Sequence, residues 1–219
     1  MFTGLVRDVG KIVSWHRAAN SVRFSIETKL PIEELAIGAS VACNGVCLTV
    51  TSVKIVSNEL RVFEVEAGPQ TLALTRFGLP QFKGLGEFIN LEPALRVGDS
   101  MGGHYVSGHI DGLAKVSAIE PTSDGFWRLR IALNPEHLSY VVKKGSIAVG
   151  GVSLTVADCS RDEQWLEIML IPHTIAQTNL QFLNTPDLVE IEFDSQAKMV
   201  AELLTVMLPI HLKTLTQKN

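Results

Sequence analysis

The sequence predicts an all-β chain: two similar small antiparallel barrels in tandem, followed by a single helix. Three observations carry this. Four sequence blocks recur in the same order in the two halves of the 219 residues. Within each half the apolar residues alternate with period two, as in half-buried strands. One segment near the end switches to helical spacing and has no counterpart in the repeat.

The first block, Thr3-Gly4-Leu5-Val6-Arg7-Asp8-Val9-Gly10-Lys11-Ile12, resembles Ser107-Gly108-His109-Ile110-Asp111-Gly112-Leu113-Ala114-Lys115-Val116, a shift of 104 positions from Gly4 to Gly108. Ser40 to Val50, with its run Asn44-Gly45-Val46-Cys47-Leu48-Thr49-Val50, matches Ser146 to Val156 at a shift of 106. Pro69-Gln70-Thr71-Leu72-Ala73-Leu74-Thr75 pairs with Pro172-His173-Thr174-Ile175-Ala176-Gln177-Thr178, and Phe88-Ile89-Asn90-Leu91-Glu92 with Leu188-Val189-Glu190-Ile191-Glu192. Small drifts in the shift are what loop insertions produce. The halves are therefore expected at residues 1–97 and 98–196.

Arg61-Val62-Phe63-Glu64-Val65-Glu66 and Glu190-Ile191-Glu192-Phe193 alternate apolar and polar, and Leu48-Thr49-Val50 is rich in β-branched residues. Short strands broken by Gly, Asn and Asp about every ten residues are the pattern of a small, nearly closed barrel. Residues 197–208 instead combine strong helix formers with apolar residues three and four apart, and Pro209 is expected to stop that helix. Its apolar face is wide, so residues 197–219 should cover a barrel or meet a partner subunit.

At 46% hydrophobic and 19% charged the chain is an ordinary globular protein. A net charge of −4 with scattered cations gives no basic stripe, which argues against nucleic acid as a partner. The N-terminus lacks a basic segment followed by an apolar run, and no stretch is long enough to span a membrane, so a cytoplasmic protein is expected. Cys43, Cys47 and Cys159 match no zinc spacing and are read as free thiols. His104 and His109 lie five apart, on opposite faces of a strand, which argues against a shared metal.

Meanwhile Phe2 to Val6, the segment Gly102-Gly103-His104-Tyr105-Val106-Ser107-Gly108-His109-Ile110-Asp111-Gly112, the two Leu-Thr-Val blocks and Leu170-Ile171-Pro172-His173-Thr174 together resemble the riboflavin synthase family over residues 1 to about 205. The resemblance implies two six-stranded Greek-key barrels and a C-terminal helix that mediates a homotrimer. It implies active sites between the N-terminal barrel of one subunit and the C-terminal barrel of its neighbour. The reaction it implies is transfer of a four-carbon unit between two molecules of 6,7-dimethyl-8-ribityllumazine, giving riboflavin and 5-amino-6-ribitylaminouracil. No cofactor or metal is implied, and lumazine synthase is raised as a candidate protein partner.

Residue by residue, the resemblance puts Cys47, His109, Ser40 and Phe2 at the chemistry. Cys47 would activate or add to the acceptor ring, His109 would move a proton near neutral pH, Ser40 would donate a hydroxyl and Phe2 would form an apolar wall. Ligand contacts are expected from Gly4, Leu5, Val6, Cys47, Leu48, Thr49, Glu66, Gln70 and Thr71 in the first half. In the second half they are expected from Gly108, His109, Ile110, Lys144, Ser153, Leu154, Thr155, Ile171, Pro172, His173, Thr174 and Ala176. Cys47 and Ser153 are repeat mates, so one offers a thiol where the other can only hydrogen-bond. For Cys47 the competing role is a small buried hydrophobe, and for each threonine a plain strand former.

This chain departs from the family pattern at Gln70, where Glu is usual, at Gly150, where Asp is usual, and at Glu92-Pro93 in place of Glu-Arg. Two readings therefore stay open: an active synthase, and a lumazine- or flavin-binding homologue with weakened catalysis. A flavin reductase module is disfavoured because no glycine-rich nucleotide fingerprint follows a strand.

Overall fold

The computed structural model describes residues 1–84 and 86–216, with side chains to residue 208. The first barrel contains β1 (Asp8–Arg17), β2 (Val22–Thr28), β3 (Ser40–Cys43), β4 (Val46–Ile55), β5 (Arg61–Ala67) and β6 (Phe88–Pro93). The second contains β7 (Gly112–Pro121), β8 (Trp127–Ala132), β9 (Ser146–Val149), β10 (Val152–Ser160), β11 (Trp165–Leu170) and β12 (Leu188–Phe193). Both close with the same strand order, β1-β2-β5-β4-β3-β6 and β7-β8-β11-β10-β9-β12, and every pairing is antiparallel. Closure removes the free edges that a six-stranded sheet would otherwise expose. The closing curvature has a visible source: β1, β4, β7 and β10 each carry a register shift, at Ile12/Ser14, Val50/Ser52, Val116/Ala118 and Val156/Asp158.

The barrel interiors are filled. Ile12, Phe24, Ile26, Phe63, Val65 and Leu91 pack the first, and Val116, Leu129, Ile131, Leu166, Ile168 and Phe193 pack the second, all at or below 1% exposure. Burial of each such side chain stabilises by roughly 1.5–3 kcal/mol. A ligand must therefore bind on an outer face. Between β5 and β6, and again between β11 and β12, a short helix crosses that outer surface: α1 (Pro69–Leu74) and α2 (Pro172–Ala176). Each opens with proline at its first position, where the missing N–H has no helical partner to lose.

The barrels exchange their leading segments. Phe2 and Val106 pair with each other, Phe2 N–H to Val106 O at 2.8 Å and Val106 N–H to Phe2 O at 3.1 Å. From there Val6 packs on the core of barrel two while Ile110 joins the core of barrel one. The β3–β4 and β9–β10 hairpins turn on Asn44-Gly45 and Gly150-Gly151, all four at positive φ, and the two turns touch: a Cβ on Gly151 would lie 2.4 Å from the Gly45 nitrogen. That contact marks the approximate two-fold relating the barrels.

The final helix, α3 (Ser195–Thr216), corrects one expectation: it continues through Pro209. Proline removes one hydrogen bond and crowds the preceding turn, but good helix formers on the N-terminal side let such a helix persist. Lys198 anchors it, its ammonium 2.9 Å from both oxygens of Asp111. Met199, Val200, Leu203, Leu204, Val206, Met207 and Leu208 are each more than half exposed. Among the described residues no helix is long and apolar enough to cross a membrane.

Candidate functional site

Strand β4 alternates Val46, Leu48 and Val50 inward with Cys47 and Thr49 outward. The Cys47 N–H donates to Gly108 O at 2.9 Å, so the leading segment of barrel two lies against the outside of barrel one. With α1 above it, this creates a cavity of about 310 Å³ lined by Val46, Cys47, Gln70, Thr71, Leu74, Thr75, Gly108, His109 and Ile110. That is the lower end of the range for small-molecule sites. A larger groove of about 770 Å³ lies elsewhere along the seam, lined by Arg76, Phe88, Lys115 and Phe182 among others. It holds neither cysteine nor histidine, so volume alone does not identify the site.

The equivalent place on barrel two has the same frame. Ser153 N–H donates to Gly4 O at 2.7 Å. The Thr75 hydroxyl closes α1 onto Thr71 O at 2.7 Å, and Thr178 closes α2 onto Thr174 O at the same distance. Here Thr155, Ile171, Pro172, His173 and Ala176 are exposed, and Thr174 is half-buried, which makes this half-site an open face. Its hydroxyl is already engaged: His104 Nδ1 lies 2.7 Å from Ser153 Oγ. Burial, partly offset by the Asp194 and Glu192 carboxylates, pushes the His104 imidazole below its usual range, so it is neutral at pH 7.

Other predicted residues occupy supporting positions. Phe2 is fully buried behind Cys47, in a cluster with Ala42, Val106 and Ala148. Ser40 is half-buried on β3 opposite Thr49. Leu5 and His109 are exposed, whereas Leu48 and Ile110 turn into the core of barrel one and Leu154 packs on that of barrel two. Leu48, Ile110 and Leu154 can thus meet a ligand mainly through their backbones. Glu66 is exposed on β5, with hydrogen bonds from Ser21 and Arg23 holding its carboxyl below the usual range. Lys144 is an exposed turn residue. Among the described residues no group of three potential ligands could hold a metal.

Sequence reasoning missed the polar groups of the seam. Asn44 Oδ1 accepts the Asn90 N–H at 2.9 Å and the Asn179 carboxamide at 3.0 Å, while Asn90 Nδ2 donates to Gly150 O at 2.8 Å. In the opposite direction Arg76 Nε lies 3.2 Å from Glu190 Oε2, and the Arg76 backbone N–H donates to Oε1 at 3.0 Å. Gly150, where the family usually has Asp, faces Asn90 and Asn179 in this seam. The missing carboxylate is therefore absent from the barrel interface, whereas Gln70 does line the cavity.

Fold and site together define a class: tandem-barrel proteins in which the leading segment of each barrel lies against the outside of the other. The model of the Lumazine binding domain matches twice, at residues 3–94 and 107–194. The riboflavin synthase of Brucella abortus is 38% identical over 205 residues, covering 93% of this chain and 98% of that protein. That of Actinobacillus pleuropneumoniae is 36% identical, covering 93% and 90%. Among solved structures, LumP complexed with riboflavin aligns at a TM-score of 0.73 over 88% of this chain and 99% of that one, at 24% identity. The chain belongs to the riboflavin synthase family.

Proposed function

We propose that this protein is a cytoplasmic riboflavin synthase that converts two 6,7-dimethyl-8-ribityllumazine molecules into riboflavin and 5-amino-6-ribitylaminouracil by four-carbon transfer. The observation that carries the reading is the paired frame: Cys47 N–H on Gly108 O in one barrel, Ser153 N–H on Gly4 O in the other. Identical substrates that must meet in opposed orientation need two related half-sites, and holding both aligned removes much of the entropic barrier. Full-length similarity to riboflavin synthases supports it.

In this reading residues 1–97 and 98–196 are the two lumazine-binding units, and residues 197–219 are an assembly segment. One lumazine loses a proton from its 7-methyl group, and its own ring delocalises the charge while the second ring accepts the new carbon–carbon bond. The protein orients the rings and manages protons. Cys47 activates or adds to the acceptor ring, and the exposed His109 at the same cavity moves a proton. Ser40 and Phe2 shape the wall. Thr49, Glu66, Gln70, Thr71 and Gly108 serve the first half-site, and Gly4, Leu5, Val6, Lys144, Ser153, Thr155, Ile171, Pro172, His173, Thr174 and Ala176 the second. The exposed apolar face of α3 supports a homotrimer with sites completed between subunits, and lumazine synthase is a further candidate partner.

The test is to add the lumazine to purified protein and follow riboflavin absorbance and fluorescence. Cys47→Ser should slow product formation about tenfold or more while lumazine still binds. Tight binding with no product from the unsubstituted chain would leave a binding protein in its place.

A further inference from the structure

Two buried carboxylates are used by neither barrel core. Glu92 on β6 is 6% exposed and Glu192 on β12 is 2% exposed. Each receives the same three donors. Glu92 accepts Thr3 N–H and Thr3 Oγ1 at 2.7 Å and Gly4 N–H at 2.8 Å. Glu192 accepts Ser107 N–H and Ser107 Oγ at 2.6 Å and Gly108 N–H at 2.9 Å. A carboxylate is the side chain that can accept on both oxygens at once, whereas an amide would aim a donor at one of the N–H groups.

What these clamps hold is decisive. The carbonyl of Gly4 receives the Ser153 N–H of barrel two, and the carbonyl of Gly108 receives the Cys47 N–H of barrel one. The clamped peptides also press directly on those residues: a Cβ on Gly4 would lie 2.6 Å from Ser153 Cβ, and one on Gly108 would lie 2.5 Å from Cys47 Cβ. Both glycines sit at positive φ, +74 and +84 degrees, where side chains are disfavoured. Each carboxylate is thus one peptide away from the reacting face of the opposite barrel.

We propose that Glu192 is the positioning residue for the Cys47 half-site of barrel one, and Glu92 for the Ser153 half-site of barrel two, so that each glutamate governs the pocket of the barrel it does not belong to. The proposal rests on the cavity at Cys47 being a ligand site, and its test separates the two ideas.

The experiment uses the full chain and iodoacetamide, with alkylation of each cysteine followed by mass spectrometry. Cys43, fully buried, reports global opening, and Cys47 reports its pocket. Glu192→Gln should raise the Cys47 alkylation rate about tenfold, the scale of losing a hydrogen bond to a charged group, with Cys43 still protected. Glu92→Gln should leave Cys47 unchanged, yet alter the thiol of a Ser153→Cys background, in which Glu192→Gln should have no effect. Should the glutamine variants fail to fold, Ser107→Ala against Thr3→Val makes the same crossed comparison with a smaller effect, about two- to threefold on the Cys47 rate. Equal effects of both partners on Cys47, or Cys43 opening in step with it, would overturn the assignment in favour of plain stability. Riboflavin, added as a probe, should protect Cys47 at higher concentration in Glu192→Gln than in Glu92→Gln. Crossed alkylation without any riboflavin protection upholds the clamp and sinks the reading of the pocket.

Discussion

The two barrels share strand order, bulge positions and apolar cores, and they differ where they face each other. Asn44 on barrel one has Gly150 as its mate, Asn90 has Glu190, and Arg76 has Asn179. The seam contact that a perfect duplicate would make twice is therefore made once between amides, Asn179 N–H donating to Asn90 Oδ1 at 2.7 Å, and once as the Arg76–Glu190 ion pair, with Arg76 N–H donating to Glu190 Oε1 at 3.0 Å. Packing tolerates few changes of volume, so duplicated cores stay alike. A polar contact across an approximate two-fold can instead be rewritten if both of its members change together.

This asymmetry predicts unequal costs. Arg76→Ala leaves the Glu190 carboxylate, fully buried, without its guanidinium, and should cost about 3–5 kcal/mol of unfolding free energy in denaturant titration. Asn179→Ala removes the mated amide, which donates to Asn44 Oδ1 and Phe88 O, and should cost less, about 1–3 kcal/mol. Equal losses would mean that the ion pair contributes no more than the amides.

Neighbouring glycines of one turn sharpen the same point. Gly151→Ala forces a Cβ to within 2.4 Å of the Gly45 backbone and must part the two hairpins, at about 1–3 kcal/mol from crowding. Gly150→Asn restores the residue type of its mate Asn44 at φ +56, where Asn is tolerated, and its Cβ meets nothing closer than 3.6 Å. The expected cost is under about 1 kcal/mol. Reversal of that order in thermal unfolding would show that the turns do not meet as described.

How much of this was legible in the sequence follows from how far each contact reaches. Strands and barrels were readable because alternation and β-branching act over a few residues, and the repeat supplied the tandem arrangement. The seam was not: Asn44 meets Asn179 across 135 positions, and Arg76 meets Glu190 across 114, with no local pattern at any of the four. Glu92 and Glu192 left a trace, since both end the fourth repeat block, but alternation made them look like outward strand residues. Helix propensity also misjudged Pro209, because a breaker read in isolation ignores the helix already formed before it. At the site, the repeat made Cys47 and Ser153 readable as equivalent strand positions, each followed by Leu-Thr-Val. Leu48 was expected at the ligand although its strand neighbours Cys47 and Thr49 take the opposite face, and the bond from His104 to Ser153 depends on a chain crossing that no spacing encodes.

That crossing gives the smallest predicted effect and separates the half-sites by pH. His104, in barrel two, is held below the ordinary imidazole value of 6.5 by burial, and its Nε2 is buried with no hydrogen-bond partner among the described residues. Between the folded value and 6.5 the unfolded chain binds more protons at this residue than the folded one, so lowering pH favours unfolding. The stability that the neutral imidazole permits is fully present above the unfolded value and is lost as pH falls toward the folded one. Melting temperature should therefore drop between about pH 7 and pH 5, and His104→Asn should flatten part of that drop. The difference between the two curves carries the result. A His104→Asn curve parallel to the unsubstituted one would mean that the Ser153 half-site carries no proton-linked strain, and that the two barrels differ there in hydrogen bonding alone.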